Sequence, residues 1–246
     1  MIYTKYDASG NDFVIFHTNE HKDYSSLAVK LCAKDKFDTD GLIVIVPHDT
    51  LDFQWLFYNN DGSTASMCGN GTRAVAHYAA KNNLASNNMT FLTGAGEISC
   101  TVEGNIVETQ MTEPIEIKAP FSEDGFDCWI VDTGVPHVVV LTDNLNTFSL
   151  EICSKFRKKY NANVNFVQVY DDELRVRTFE RGVENETLAC GTGMVACFLR
   201  ALNLGICNSS VKVIPKSGEL LTIRKEKNIL YFKGAVKEIY QKKENN

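Results

Sequence analysis

The chain has 246 residues, longer than the roughly 100–150 of the commonest single domain, so two modest domains are expected. Its 44% hydrophobic and 23% charged residues are those of an ordinary globular protein, and no run reaches the ~18 apolar residues of a membrane span. A net charge of −6 argues against nucleic acid or an anionic membrane as the main partner, because both demand a basic surface.

Met1–Tyr6 runs straight into alternating structure, with neither a basic leader nor an apolar signal core, which implies a cytoplasmic protein. "SGNDFVIF" (Ser9–Phe16) reads as a small-residue turn feeding a β-branched strand. Ser25 or Ser26 is expected to cap a helix running to about Lys34. Strands follow at Gly41–Val46 and Asp52–Tyr58, and a buried helix at "TRAVAHYAAK" (Thr72–Lys81). A turn is expected at Glu103–Asn105, and "EPIEIKAP" near Pro114–Pro120 reads as a boundary between domains.

The second half says the same things again. "TGVPHVVV" (Thr133–Val140) feeds a strand. Strands at Asn165–Val169 and Glu173–Phe179 flank a turn at Asp171–Glu173. "MVACFLRALNLG" (Met194–Gly205) reads as a second buried helix ending at Gly205 in its C-cap. The charged run Lys237–Asn246 reads as a solvated tail.

Identities recur at a fixed offset. "MCGNG" (Met67–Gly71) and "ACGTG" (Ala189–Gly193) place cysteines 122 residues apart (190 − 68), and Gly96–Glu97 returns at Gly218–Glu219 with the same spacing. Self-similarity of this kind signals repeated structure. The fold expected is α+β: two pseudo-symmetric domains, each a barrel-like mixed β-sheet around a central α-helix.

Eight cysteines without C-x-x-C or a signal peptide are expected to be reduced thiols. Cys32, Cys100, Cys128, Cys153, Cys197 and Cys207 lie among apolar residues and read as core filler. Cys68 and Cys190 differ. Each precedes G-x-G at a helix start, where unpaired amides and the helix dipole favour thiolate over thiol. The same amides can hold a carboxylate. Two such thiols facing one cleft suit inversion of a stereocentre, one removing an α-proton and the other returning a proton to the opposite face. No metal motif and no pyridoxal lysine motif is visible, so no cofactor is expected.

Other readings exist. G-N-G-T-R-A (Gly69–Ala74) matches a dinucleotide fingerprint weakly, without a framing strand or a downstream acid. A redox disulfide is disfavoured because the thiols lie in separate halves. A non-catalytic anion-binding module would need the glycines but not two thiols.

"ASGNDFVIF" (Ala8–Phe16), "NNDGSTASMCGNGTRAVA" (Asn59–Ala76), "GVPH" (Gly134–His137), "NVNFVQV" (Asn163–Val169) and "ERGVENETLACGTG" (Glu180–Gly193) resemble, in order, the signatures of the diaminopimelate epimerases. The resemblance implies cofactor-independent interconversion of LL- and meso-2,6-diaminopimelate, in lysine and peptidoglycan-precursor synthesis. It implies domains at 1–114 plus 235–246 and at 115–234, the last strand returning to the first domain. It also implies that Cys68 and Cys190 are the acid/base pair and that His137 and Glu180 adjust their pKa values. Arg181 would take the distal carboxylate. Backbone groups of Gly69, Asn70, Gly191 and Thr192 would hold the reacting carboxylate, with Asn11, Asn59 and Asn163 as neutral partners. The expected partner is a small dicarboxylic diamino acid; a homodimer is left open, and a racemase of another amino acid is the nearest alternative activity. Two positions depart from the family pattern: Val135 stands where asparagine is common, and Gly41 where glutamine is often found.

Overall fold

The computed structural model describes residues 1–170 and 172–243. The first half contains β1 (Ile2–Ala8), β2 (Asn11–His17), α1 (Ser25–Cys32), β3 (Gly41–Val46) and β4 (Phe53–Asn59). These lead into α2 (Gly69–Lys81), β5 (Asn88–Thr93), β6 (Gly96–Glu103) and β7 (Ile106–Gln110). The second half contains β8 (Ile115–Glu123), β9 (Phe126–Asp132), β10 (Pro136–Leu141), α3 (Leu150–Tyr160), β11 (Asn163–Tyr170) and β12 (Glu173–Glu180). It continues with β13 (Asn185–Thr187), α4 (Gly191–Asn203), β14 (Ser210–Ile214), β15 (Leu221–Glu226) and β16 (Ile229–Ala235), and β17 (Lys237–Lys243) ends the described chain. Two compact units result: Met1–Gln110 with Gly234–Asn246, and Met111–Lys233.

The first unit's sheet runs β17–β1–β2–β3–β4–β5–β6–β7, antiparallel except for the parallel pairs β2/β3 and β4/β5. The second runs β8–β9–β10–β11–β12–β14–β15–β16, antiparallel except for β10/β11 and β12/β14. The sequence of pair types is the same in both. Each parallel pair needs a crossover, and a helix supplies it every time: α1 and α2 in the first unit, α3 and α4 in the second.

The crossover helices divide into two kinds. In α4 every residue from Gly191 through Ala201 is buried, and in α2 every residue from Gly69 through Ala76. Apolar or small side chains on most faces let each lie buried within its sheet; around α2 the core includes Tyr6, Phe13, Ile43, Trp55, Phe91 and Ile98. Helices α1 and α3 pack outside. Ala28 and Leu31 of α1 meet Val14, Phe16, Leu42 and Val44, while Cys153 and Phe156 of α3 meet Val138, Val140, Val164 and Phe166. Covered on both faces, β3 is the continuous apolar run GLIVIV.

The helix ends repeat too. Gly205 takes φ +67 beyond α4 with Ile206 N–H bonded back to Ala201 O, and Asn83 takes φ +56 beyond α2 with Leu84 N–H bonded back to Ala79 O. Asparagine substitutes for glycine because its short polar side chain tolerates the left-handed region.

Several local expectations change. Helices α2 and α4 begin at Gly69 and Gly191, so the glycines lie inside the first turn rather than before it. Helix α1 is capped by neither serine: Tyr24 is its N-cap, and the Asp23 carboxylate accepts both the Ser25 amide and the Ser25 hydroxyl. The stretch read as a boundary is strand β8, whose pairing with β9 slips twice, the second slip accommodating Pro120. The stretch read as a solvated tail is strand β17 as far as Lys243, paired along β1. The turn expected at Asp171–Glu173 falls partly outside the described residues. Among the described residues no helix is long and apolar enough to cross a membrane.

Candidate active site

In the first unit Cys68 is the N-cap of α2. Its extended backbone (φ −150, ψ 111) turns the side chain back over the first turn, where Sγ accepts the Gly71 amide at 3.4 Å. The amides of Gly69 and Asn70, at the first two helical positions, have no acceptor within the helix.

Behind that turn lies a chain of side chains. Arg73, fully buried, donates through Nη2 to Asn70 Oδ1 (2.7 Å) and Ser9 Oγ (2.6 Å), and through Nη1 to Ala235 O (3.2 Å). A guanidinium only donates, so Asn70 presents its oxygen to Arg73 and its Nδ2 to Asn11 Oδ1 (2.7 Å). Asn11 Nδ2 then reaches Asp40 Oδ2 at 2.9 Å. Both ends agree on the direction, and the side chains of Asn11 and Asn70 are fixed against the helix start. Asn59 is engaged in its own turn, donating to Ser63 Oγ at 2.9 Å.

In the second unit Cys190 is the N-cap of α4, in the same extended conformation (φ −126, ψ 107). Its Sγ lies 3.5 Å from Thr192 Oγ1, which lies 2.9 Å from Nε2 of His137 on β10. The Thr192 carbonyl accepts Thr133 Oγ1 at 2.8 Å. Across the parallel pairing from His137 stands Asn163, whose Oδ1 accepts the Arg181 amide at 2.8 Å. Arg181 donates to Asn161 O through Nη1 (2.9 Å), and the Glu180 carboxylate accepts the Thr187 hydroxyl. His137 is fully buried. Burial, and secondarily the nearby Arg181 charge, hold its imidazole down to about 3, so it is neutral in ordinary buffers.

Each unit thus collects its own expected residues: Cys68, Gly69, Asn70 and Asn11 at one helix start; Cys190, Gly191, Thr192, His137, Asn163 and Arg181 at the other. The remaining cysteines are chemically distinct. Burial pushes Cys100, Cys128 and Cys153 up to about 12, Cys207 to about 11, and Cys32 and Cys197 upward as well.

Sequence reading missed Arg73, Asp40 and Asn165. Arg73 was signalled by an arginine inside an otherwise apolar, alanine-rich helix. Asn165 was signalled by strand periodicity, since it shares a face with Asn163 two positions away. At Gly41, a departure from the family pattern, a β-carbon would lie 2.6 Å from the Phe57 ring and 2.8 Å from Tyr58 O. The Phe57 ring occupies the space a side chain at 41 would need.

The family model described as diaminopimelate epimerase matches residues 3–117 and again 129–239. A diaminopimelate epimerase from Nitratiruptor sp. is 52% identical over 98% of this chain and 97% of its own, and one from Campylobacter lari is 51% identical over 96% of each. The solved structure of a Bacillus anthracis phenazine biosynthesis protein of the PhzF family is only 15% identical. It superposes with a TM-score of 0.74 over 98% of this chain and 97% of its own, a likeness of fold alone. With its fold repeated in both halves and its relatives matched from end to end, the chain belongs to the diaminopimelate epimerases, a family of isomerases.

Proposed function

We propose that this protein interconverts LL- and meso-2,6-diaminopimelate by a two-thiol mechanism, without a cofactor, in the cytoplasmic synthesis of lysine and peptidoglycan precursors. The observation that carries the reading is that Cys68 and Cys190 are N-caps of equivalent helices in the two repeats, with the same backbone conformation. The names of the relatives support the substrate.

The reaction requires both thiols to reach one α-carbon from opposite faces. One sulfur, as thiolate, takes the α-proton; the other, as thiol, supplies a proton to the opposite face. The carbanion between these events is stabilised through its carboxylate by the first-turn amides of Gly69, Asn70, Gly191 and Thr192, which carry the positive ends of both helix dipoles. Asn11, Asn59 and Asn163 provide neutral donors and acceptors to substrate. His137 and Glu180 adjust the thiols, and the Arg181 fork takes the distal carboxylate and so demands a second acidic group. The roles of the two sulfurs exchange with direction, which suits a near-thermoneutral reaction.

The test is solvent exchange. LL-substrate incubated in heavy water with no additive should gain deuterium at the inverted centre as meso product forms. Undiminished activity in Cys68→Ala, or a substrate panel preferring a monocarboxylic amino acid, overturns the reading.

A further inference from the structure

Asn165 on β11 is completely buried, and its amide touches three groups. Nδ2 lies 3.3 Å from Val138 O and 2.9 Å from His137 Nδ1, while Oδ1 lies 3.0 Å from Thr178 Oγ1. A backbone carbonyl only accepts, so the amide atom facing Val138 O must be the nitrogen. Its second hydrogen then points at His137 Nδ1, which must offer a lone pair. Thr178 donates to the oxygen.

A neutral imidazole carries one proton, and with Nδ1 accepting, that proton sits on Nε2. Nε2–H therefore donates to Thr192 Oγ1. With one lone pair of that hydroxyl engaged, its own hydrogen is turned toward the remaining neighbour, the Cys190 sulfur 3.5 Å away. The Thr133 hydroxyl bonds the Thr192 carbonyl and does not compete. The charged group facing the imidazole is the Arg181 guanidinium, which opposes a second proton on the ring.

We propose that Asn165 is a positioning residue for Cys190: held by Thr178 and Val138, it fixes His137 as the Nε2–H tautomer, which aims the Thr192 hydroxyl proton at the Cys190 sulfur. The inference rests on the two-thiol reading for its purpose, but not for its test. It supplies Cys190 with a neutral side-chain donor, and the first helix start is built differently. Asn70, two residues after Cys68 as Thr192 is after Cys190, turns its side chain to Asn11, and Cys68 Sγ accepts the Gly71 amide.

The experiment is two-bond proton–nitrogen NMR on protein labelled with 15N-histidine, five residues in all, with His137 assigned by its loss in His137→Gln. The expected spectrum shows His137 protonated at Nε2 and bare at Nδ1, unchanged across neutral pH. In Asn165→Asp the carboxylate only accepts, so Nδ1 should gain a proton. In parallel, the pH midpoint of Cys190 alkylation by iodoacetamide, read by peptide mass spectrometry, should rise by about one unit in Thr192→Val. Thr192→Ser should restore it.

Wild-type His137 protonated at Nδ1, or an unmoved Cys190 midpoint in Thr192→Val, overturns the relay. An enzyme that fails to epimerise diaminopimelate while both signals hold would overturn the proposed function and leave the relay standing.

Discussion

Asn165 rests directly on Gly193: a β-carbon there would lie 2.2 Å from its Oδ1 and 3.2 Å from His137 Cε1. At the repeat-equivalent Gly71 a β-carbon would meet Cys68, Ile43 and Trp55 no closer than 3.4 Å, ordinary contact. Neither glycine needs a positive φ, so space alone separates them. Gly193→Ala should cost about 1–3 kcal/mol by overpacking and expel Asn165, lowering kcat at least tenfold. Gly71→Ala should stay within about 1 kcal/mol of wild type, because alanine's helix propensity offsets the tighter fit. Urea denaturation of both variants checks the contrast; equal losses would show that the two helix starts are packed alike.

The neutral state of His137 makes stability depend on pH. The unfolded imidazole binds a proton near 6.5, whereas the folded one, kept neutral by burial and by Arg181, does so only near 3. The unfolded state therefore binds more protons between these values. The contribution is complete above 6.5 and is lost as pH falls toward 3, at up to about 1.4 kcal/mol per unit. His137→Gln cannot take up a proton and should lose that slope. Urea midpoints from pH 7 to pH 4 should converge as wild type weakens faster, and parallel curves would contradict a buried neutral histidine.

The sulfur atoms should sort by environment. With their thiols held up near 12 and buried, Cys100, Cys128 and Cys153 should resist iodoacetamide at pH 7.5, as should Cys197. Cys68, partly exposed at a helix start, should be modified first. Peptide mapping after brief labelling reads the order directly. Prior modification of any of the four core thiols would mean that the sheets open on that timescale.

Much of this arrangement is legible in the chain itself. The offset of 122 that joins Cys68 to Cys190 also joins Asn83 to Gly205, a pair of helix ends that no shared letter reveals because two residue types serve one backbone conformation. What stays hidden depends on partners far away in sequence. Arg73 reads as an oddity in a small-residue helix until Ser9 and Ala235, at opposite ends of the chain, are brought to it. Lys237–Lys243 is charged enough to read as solvent-borne, and its side chains are mostly exposed, yet a strand needs only backbone partners, and β1 supplies them.

Arg73 itself yields a stability prediction. It donates to three neutral acceptors, whose hydrogen bonds and dipoles help hold the guanidinium. Arg73→Met would leave Ser9 Oγ, Asn70 Oδ1 and Ala235 O short of a donor, at roughly 1–3 kcal/mol per buried group that finds no water. A loss of at least about 2 kcal/mol in urea denaturation is expected, together with faster amide exchange around Ala235. A variant as stable as wild type would show that the network is dispensable.

The end of the described chain is pinned through Glu238. Its Oε2 accepts the Tyr6 hydroxyl (3.2 Å) and the Lys81 ammonium (2.6 Å), so one carboxylate on β17 ties together β1 and the last turn of α2. Because Tyr6 donates to Glu238, His77 Nδ1, 3.0 Å from the same phenol oxygen, must be the donor there. Burial keeps His77 below its usual range, so at neutral pH its ring is uncharged and carries one proton, and burial raises Tyr6, so the phenol keeps its own. Glu238→Ala and Tyr6→Phe should each cost about 1–2 kcal/mol. The double variant should lose about 0.5–1 kcal/mol less than the two losses added together, because both changes remove the same bond. Strict additivity in the cycle would mean that the Tyr6–Glu238 bond adds nothing, and that the carboxylate acts on stability through Lys81 alone.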